Sequence, residues 1–121
     1  MPITTVEISK KAILHNFKQF KRVVRQGTEI MCVIKSNAYG HGMGEVADIL
    51  KKHTNYFVVA SIEEALMLRK QGIKNNILVL GNYDVSDKQA FSEAIHKDIE
   101  LAAYSTEVLK HFASATRKAK K

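Results

Sequence analysis

Short apolar runs and amphipathic stretches alternate four times along this chain, and this alternation restricts the fold more than any other feature. Each run has five or six residues, and the stretch after it repeats its apolar side chains at spacings of three and four. The runs are EIMCVI, YFVVA, NILVLG and IELAAY, which begin at residues 29, 56, 76 and 99. Near-continuous apolar strands separated by helices are typical of a parallel sheet covered by helices. The sequence therefore predicts an α/β fold.

A further strand and helix are predicted before the first of these units. The segment TTVEIS at residues 4–9 has the composition of a short strand, and Ser9 can cap a helix over residues 10–26 that Gly27 ends. Later helices are predicted to begin after residues that accept hydrogen bonds from the first turn. These caps are Ser61, which has capping-box spacing to Glu64, and Ser86 and Ser105.

Two architectures contain repeated βα units of this kind: an open doubly wound sheet and a closed eight-stranded barrel. A closed barrel takes about 250 residues, so a chain of 121 residues supplies about half of one. Both architectures remain open on the pattern alone. In both, functional groups collect at the carboxyl ends of the strands.

Lys35 stands at such a strand end. It directly follows the run CVI, and Gly40, Gly42 and Gly44 lie between it and the next helix. Glycines allow positive φ or a close approach of the backbone, and the amides at a helix start favour phosphate groups. In a P-loop the glycines precede the lysine, so nucleotide phosphate transfer is not predicted. A lysine here can also simply extend its ammonium group into water.

A strand-end lysine in a pocket has another use, which is condensation with an aldehyde. Burial and cationic neighbours lower the pKa of a lysine amine, and the neutral amine is then a nucleophile or a base. Pyridoxal phosphate combines an aldehyde with a phosphate and acts as an electron sink. The segment around Lys35 therefore predicts a pyridoxal phosphate site, and no metal site is predicted.

The segment VIKSNAYGHG, residues 33–42, resembles the cofactor-binding motif of the alanine racemase family. Three collinear segments, VEISKKAILHN, EEALMLRKQGI and ILVLGN, are similar to that family's opening strand and helix, its second barrel helix and the strand after it. The resemblance covers residues 3–110. It implies parallel βα units that form roughly the first half of a TIM-type (β/α)8 barrel. Residues 1–121 are then a partial amino-terminal domain that binds pyridoxal phosphate, without the later barrel strands and a β-rich domain.

The resemblance also implies roles for individual residues. Lys35 is expected to form the Schiff base with the cofactor and to act as the base for the α-proton of D-alanine. Tyr39 corresponds to a tyrosine that reaches the cofactor phosphate, and Val33 and Leu78 to barrel positions beside the pyridine ring. The family's second base is a tyrosine of the β-rich domain, contributed across a homodimer. The implied activity is the interconversion of L- and D-alanine, which supplies D-alanine for the cell wall, and these 121 residues alone are expected to be inactive.

Composition bears on partners and location. The formal net charge is +7, but no aromatic residues interleave with the basic cluster RKAKK, so nucleic acid is not an expected partner. The apolar runs are too short to span a membrane. No secretory signal is visible, and the single cysteine, Cys32, agrees with a reducing compartment, so a cytoplasmic protein is expected.

Two other functions fit the same residues. The first is a racemase of the same fold that acts on serine or on basic amino acids, since substrate choice depends largely on residues outside this segment. The second is a non-catalytic binding module in which Lys35 holds pyridoxal phosphate without turnover. An assay of both alanine enantiomers with added cofactor separates these functions.

Overall fold

Four parallel strands form a sheet in the order in which they occur in the chain. The computed structural model describes residues 3–119. The elements are α1 (Lys10–Val23), β1 (Met31–Val33), α2 (Lys35–Ala38), α3 (Met43–Leu50), β2 (Tyr56–Val59), α4 (Ile62–Lys70), β3 (Asn76–Val79), α5 (Lys88–His96), β4 (Glu100–Leu101) and α6 (Thr106–Lys118). Within residues 3–119, no helix is long and apolar enough to cross a membrane.

One face of the sheet is packed against the helices and forms the core. The side chains that line it are Ile34, Phe57, Val59, Ile77 and Val79, none of which is more than 2% exposed. The helices bring fully buried small and branched side chains against them, namely Ala47, Ala65, Leu68 and Ala94. Removing this apolar area from water is the main favourable contribution to folding, and the small alanines let the helices approach the strands closely.

The opposite face of the sheet is open. Met31, Val33 and Leu80 lie on it and are 40%, 56% and 51% exposed. A doubly wound sheet carries helices on both faces and reverses its strand order, whereas this sheet is covered on one face and keeps sequential order. This is the arrangement of a barrel wall. The α/β prediction is confirmed, and the doubly wound alternative is excluded.

The prediction of an opening strand at residues 4–9 is wrong. Residues 4–9 form no strand, and Val6 is exposed, because no described strand lies beside this segment to take its backbone hydrogen bonds. Helix α1 also ends three residues before the predicted boundary. Val24 adopts extended angles (φ −85°, ψ 154°), which β-branched residues favour. Gly27, at φ +87°, turns the chain toward β1 rather than capping the helix directly.

Most of the predicted helix caps are confirmed. The hydroxyls of Ser9, Ser61 and Ser105 each accept a backbone N–H of the following first turn at 3.2 Å. The prediction of Ser86 as the cap of α5 is wrong, because Asp87 accepts the N–H of Ala90 at 3.0 Å. The N–H of Ser86 donates instead to Asp84 Oδ1 at 2.8 Å. Ser86 therefore belongs to a turn that Asp84 closes just before the helix.

Candidate functional site

Lys35 lies immediately beyond the carboxyl end of β1. The pairing of β1 with β2 continues past the strand itself, because the N–H of Ile34 donates to the carbonyl of Val58 at 2.9 Å. Ile34 is buried, whereas Lys35 is half-buried. The sheet therefore fixes the chain as far as residue 34, and the lysine begins at the edge where functional groups of parallel βα folds collect.

A single turn of left-handed helix, α2, follows the strand. Residues 36–39 all have φ between +50° and +55°, and none of them is a glycine. The left-handed region costs an L-residue about 1–2 kcal/mol. Four such residues in succession therefore store strain on the order of 4–8 kcal/mol. A turn of this kind persists only where the surrounding contacts hold it in place.

The glycines after this turn have separate roles. Gly40 and Gly42 have φ of +96° and +86°, as the sequence predicts, but Gly44 lies within α3 and has no positive φ. A Cβ on Gly44 would stand 2.6 Å from the side-chain oxygen of Gln71, which is the far end of an exposed, flexible side chain. The amide group of Gln71 donates to the Gly44 carbonyl at 3.0 Å. Gln71, which follows α4, thus contacts the start of α3 through this hydrogen bond.

Asn37 supports the left-handed turn from within the loop. Its side-chain oxygen accepts the N–H of Met43 at 2.9 Å, at the start of α3. Its carbonyl accepts the N–H groups of Gly40 and Gly42 at 3.1 and 3.0 Å. His41 adds a contact between Nδ1 and the carbonyl of residue 38 at 3.1 Å. The loop is thereby closed on itself and joined to α3.

Glu64 supports the same turn from outside the loop. One carboxylate oxygen accepts the N–H of Ser36 at 2.7 Å, and the other accepts the N–H of Ala60 at 2.7 Å. The sequence pattern predicts a capping box, and its first half forms, because Ser61 caps the N–H of Glu64. The carboxylate, however, reaches the ends of two strands instead of closing the box. Glu64 therefore connects α4, the end of β2 and the residue next to Lys35.

Three apolar side chains form a row across the open face next to Lys35. Val33 is in register with Val58, and Val58 is in register with Leu78. Neighbouring strands lie about 4.8 Å apart, so Val33 and Leu78 are about 10 Å apart across the sheet. Val33 is more than half exposed, Leu78 is half-buried and Val58 is buried. The family resemblance predicts Val33 and Leu78 as site residues but not Val58, which the parallel register places between them.

Tyr39 ends the left-handed turn and is 74% exposed. Since one helical turn rises about 5.4 Å, the turn returns the chain so that the Cα atoms of Lys35 and Tyr39 are about one pitch apart. Lys35 and the row that contains Val33 and Leu78 lie toward the carboxyl end of the sheet. Tyr39 follows Lys35 by one turn, and its side chain is exposed. The contact between Tyr39 and a phosphate stays a prediction.

The other three tyrosines are engaged elsewhere. Tyr83 is stacked among aromatic rings of α5 and α6 and donates to the carbonyl of Ala102 at 2.7 Å. Burial raises the pKa of Tyr83 to about 12. Tyr56 donates to Glu100 at 2.9 Å, and this hydrogen bond raises the pKa of Tyr56. Tyr104 contacts the carbonyl of Tyr83 at 3.4 Å. None of the three is placed as a base beside Lys35.

The parallel βα units form part of a barrel wall, and Lys35 lies at the carboxyl end of the first described strand. They define the class of βα-barrel domains, which hold their ligands at this edge. The family model described as "Alanine racemase, N-terminal domain" matches residues 8–121. The chain belongs to the alanine racemase amino-terminal domain family.

Individual relatives agree with this family. The chain is 41% identical over 120 residues to a protein named Alanine racemase 2 of Caldanaerobacter subterraneus subsp. tengcongensis, which covers 98% of this chain and 30% of that protein. The solved alanine racemase of Clostridium difficile 630 in complex with cycloserine is 32% identical, with a TM-score of 0.87 over 98% of this chain and 32% of that one. A solved histidine racemase of Leuconostoc mesenteroides is 33% identical, with a TM-score of 0.81 over 93% of this chain and 29% of that one.

These similarities settle the architecture. The four βα units superpose on the first part of such racemases, so the chain forms the first half of a TIM-type (β/α)8 barrel, as predicted. The chain spans about a third of the length of the relatives it matches.

Proposed function

We propose that this chain is the amino-terminal part of a pyridoxal phosphate-dependent racemase that interconverts L- and D-alanine. The main support is the position of Lys35 at the carboxyl end of β1, beside an apolar row on the open face. The 41% identity to an alanine racemase over almost the whole chain adds to it. A strand-end lysine alone is compatible with many functions, but both observations together favour this one.

The residues at this edge fit pyridoxal phosphate. The cofactor requires an amine for its aldehyde, an apolar surface for its pyridine ring and polar groups for its phosphate. Lys35 carries the amine, and Val33 exposes enough apolar area to be covered by a ring. Leu78 lies in the same row. The hydroxyl of Tyr39 is exposed and so is accessible to a phosphate.

Each of these residues would have a separate role in the reaction. When bound, pyridoxal phosphate withdraws electrons from the α-carbon of an attached amino acid and so acidifies the α-proton. Lys35 would hold the cofactor through its amine, and as a neutral amine it would remove or return the proton at the α-carbon of D-alanine. Val33 and Leu78 would fix the plane of the ring, and Tyr39 would orient it through the phosphate.

Racemisation requires a second base, because the proton must leave one face of the α-carbon and return to the other. The tyrosines of the open face and of the α5–α6 cluster donate to other groups, and the pKa of Tyr83 is far above neutrality. The second base would therefore come from a different part of a longer protein. We further propose that residues 1–121 are a partial barrel domain. The complete protein would be a cytoplasmic homodimer without nucleic-acid or membrane partners. Each protomer would contribute the second base to the active site of its partner across the dimer interface.

A racemase for another amino acid is the second candidate. The observation in its favour is the histidine racemase of Leuconostoc mesenteroides, which has the same fold at a similar level of identity. The edge described above holds the amine and the apolar row, which would contact the cofactor rather than the side chain of a substrate. Alanine, serine and histidine therefore have to be compared in the assay.

The deciding experiment is borohydride reduction of the natively purified protein with added pyridoxal phosphate, followed by intact mass and peptide mapping. A pyridoxyl group on Lys35, in a protein much heavier than 13.6 kDa, together with conversion of L- to D-alanine, is expected. Lys35→Ala should lose both label and activity, whereas Lys52→Ala, at an exposed lysine in the turn after α3, should keep both. Label on Lys35 without turnover of any amino acid would identify a binding module instead, and an unlabelled Lys35 would refute the proposal.

A further inference from the structure

We propose that Glu64 is a positioning residue for Lys35. Its carboxylate would hold the peptide group that follows Lys35 and so fix the direction in which the lysine amine meets the cofactor. This inference deepens the proposed function and rests on it. Among the described residues, Glu64 forms no ion pair with the Lys35 amine, so its effect would pass through the backbone.

The two hydrogen bonds of Glu64 have the geometry of a clamp. Both oxygens accept backbone N–H groups at 2.7 Å, one from Ser36 and one from Ala60. The N–H of Ala60 directly follows β2, whereas that of Ser36 lies in α2, just beyond the neighbouring strand β1. Glu64 is 28 residues from Ser36 along the chain. Hydrogen bonds to a carboxylate are shorter and about twice as strong as those between neutral groups. The end of β2 is therefore a fixed point to which residue 36 is attached.

The two hydrogen bonds of Glu64 act on the peptide group that joins Lys35 to Ser36. A peptide group is planar from one Cα to the next, so the N–H of Ser36 and the Cα of Lys35 lie in one rigid unit. Fixing that N–H fixes the orientation of the unit from which the lysine side chain extends. The left-handed turn begins at Ser36, which is where an unsupported chain would return to right-handed angles.

The neighbourhood of Glu64 offers matched controls. Glu63 is the adjacent residue in the first turn of α4, carries the same charge and is exposed. Glu63→Ala therefore removes an equal charge from the same helix end without touching the clamp. Ser61→Ala removes the cap of α4 and lowers stability while leaving the carboxylate of Glu64 in place. Glu64→Gln keeps the size of the side chain but has only one acceptor oxygen for two N–H groups.

The first measurement is amide hydrogen exchange in the cofactor-free, full-length protein. Glu64→Ala is expected to speed exchange at Ser36 and Ala60 by about tenfold or more, which corresponds to the loss of one hydrogen bond to a charged group. Glu64→Gln is expected to speed exchange at one of the two. Glu63→Ala should leave both unchanged. Unchanged exchange at Ser36 in Glu64→Ala would overturn the inference.

The second measurement is borohydride labelling of Lys35 at increasing pyridoxal phosphate concentration. A displacement of the amine by about 1 Å can cost up to a hundredfold, so the half-saturating concentration for Glu64→Ala is expected to rise by about tenfold or more. Ser61→Ala should stay within about twofold of the wild type despite its lower stability. Equal shifts for Glu64→Ala and Ser61→Ala would show a purely structural role and overturn the inference. If wild-type Lys35 takes no label, the proposed function fails, and the exchange result at Ser36 alone decides whether the clamp exists.

Discussion

Replacing Ser36 with glycine should stabilise this protein, although glycine usually has the opposite effect. Ser36 has φ +52° and ψ +49° and is exposed, and its bond to Glu64 uses the backbone N–H, which glycine keeps. Glycine removes about 1–2 kcal/mol of left-handed strain and adds about 0.5–1 kcal/mol of unfolded-chain entropy. The free energy of unfolding should therefore rise by about 0.5–1 kcal/mol.

A second serine provides the matched control for this prediction. Ser114 is exposed within the right-handed helix α6, where glycine is less favourable than serine by about 0.5 kcal/mol. Urea titration followed by circular dichroism gives both changes on the same protein. The two substitutions should differ in sign, by about 1–1.5 kcal/mol in all. A loss of stability in Ser36→Gly as large as that in Ser114→Gly would show that residue 36 is not held in the left-handed region.

Two further predictions concern residues away from Lys35. Arg69 donates to four backbone carbonyls in the segments before β3 and β4, and these bonds join α4 to both segments. Arg69→Ala should therefore lower the free energy of unfolding by about 2–4 kcal/mol. Arg117→Ala is the control, since it loses one exposed hydrogen bond within α6 and should lower the free energy of unfolding by less than about 0.5 kcal/mol. Burial raises the pKa of Tyr83 to about 12 in the folded protein, whereas tyrosine in the unfolded chain has a pKa near 10. The contribution of Tyr83 to the free energy of unfolding is therefore fully present below about pH 10. It is lost as the pH rises from about 10 to 12, because in this range the Tyr83 hydroxyl ionises in the unfolded chain and not in the folded one. Urea midpoints at pH 9 and 11.5 should show a smaller fall in Tyr83→Phe than in the wild type, and equal falls would refute the assignment.

Most of the strands and the longer helices could be predicted because they bury a periodic apolar pattern, whereas α2 has no buried residue. The runs that begin at residues 29, 56, 76 and 99 all contain strands, and the stretches between them contain helices. The failures have a common physical cause, since they concern residues whose state depends on neighbours. Residues 4–9 have a strand composition but lack a described strand beside them. Ser86 is a good cap by residue type, but Asp87 caps the N–H of Ala90, and the N–H of Ser86 itself donates to Asp84.

The candidate site could be predicted only in part. Lys35 follows from its place after an apolar run, and Val33 and Leu78 prove to be in one row of the sheet. Predicting that Val58 lies between them would have required the strand register, which the sequence pattern alone does not give. The sequence pattern predicts Glu64 as half of a local capping box, but its carboxylate bonds to a residue 28 positions away. A contact of that kind is tertiary, and spacing rules for a single helix contain no information about it.

The left-handed turn after Lys35 is the least predictable feature, and its composition has a physical use. Asp98 is the other non-glycine residue with positive φ among the described residues, and neither of its neighbours in the chain has a positive φ. Asp tolerates such angles in turns. Residues 36–39 form a continuous run, and only Asn37 among them is favoured there. Glycines would remove the strain, but each glycine also opens a wide range of angles, whereas a residue with a Cβ has only a narrow left-handed well. Once Glu64 and Asn37 hold the run in that well, the four side chains restrict it further. Stability and rigidity thus have opposite requirements at this turn, and the sequence favours rigidity next to the lysine.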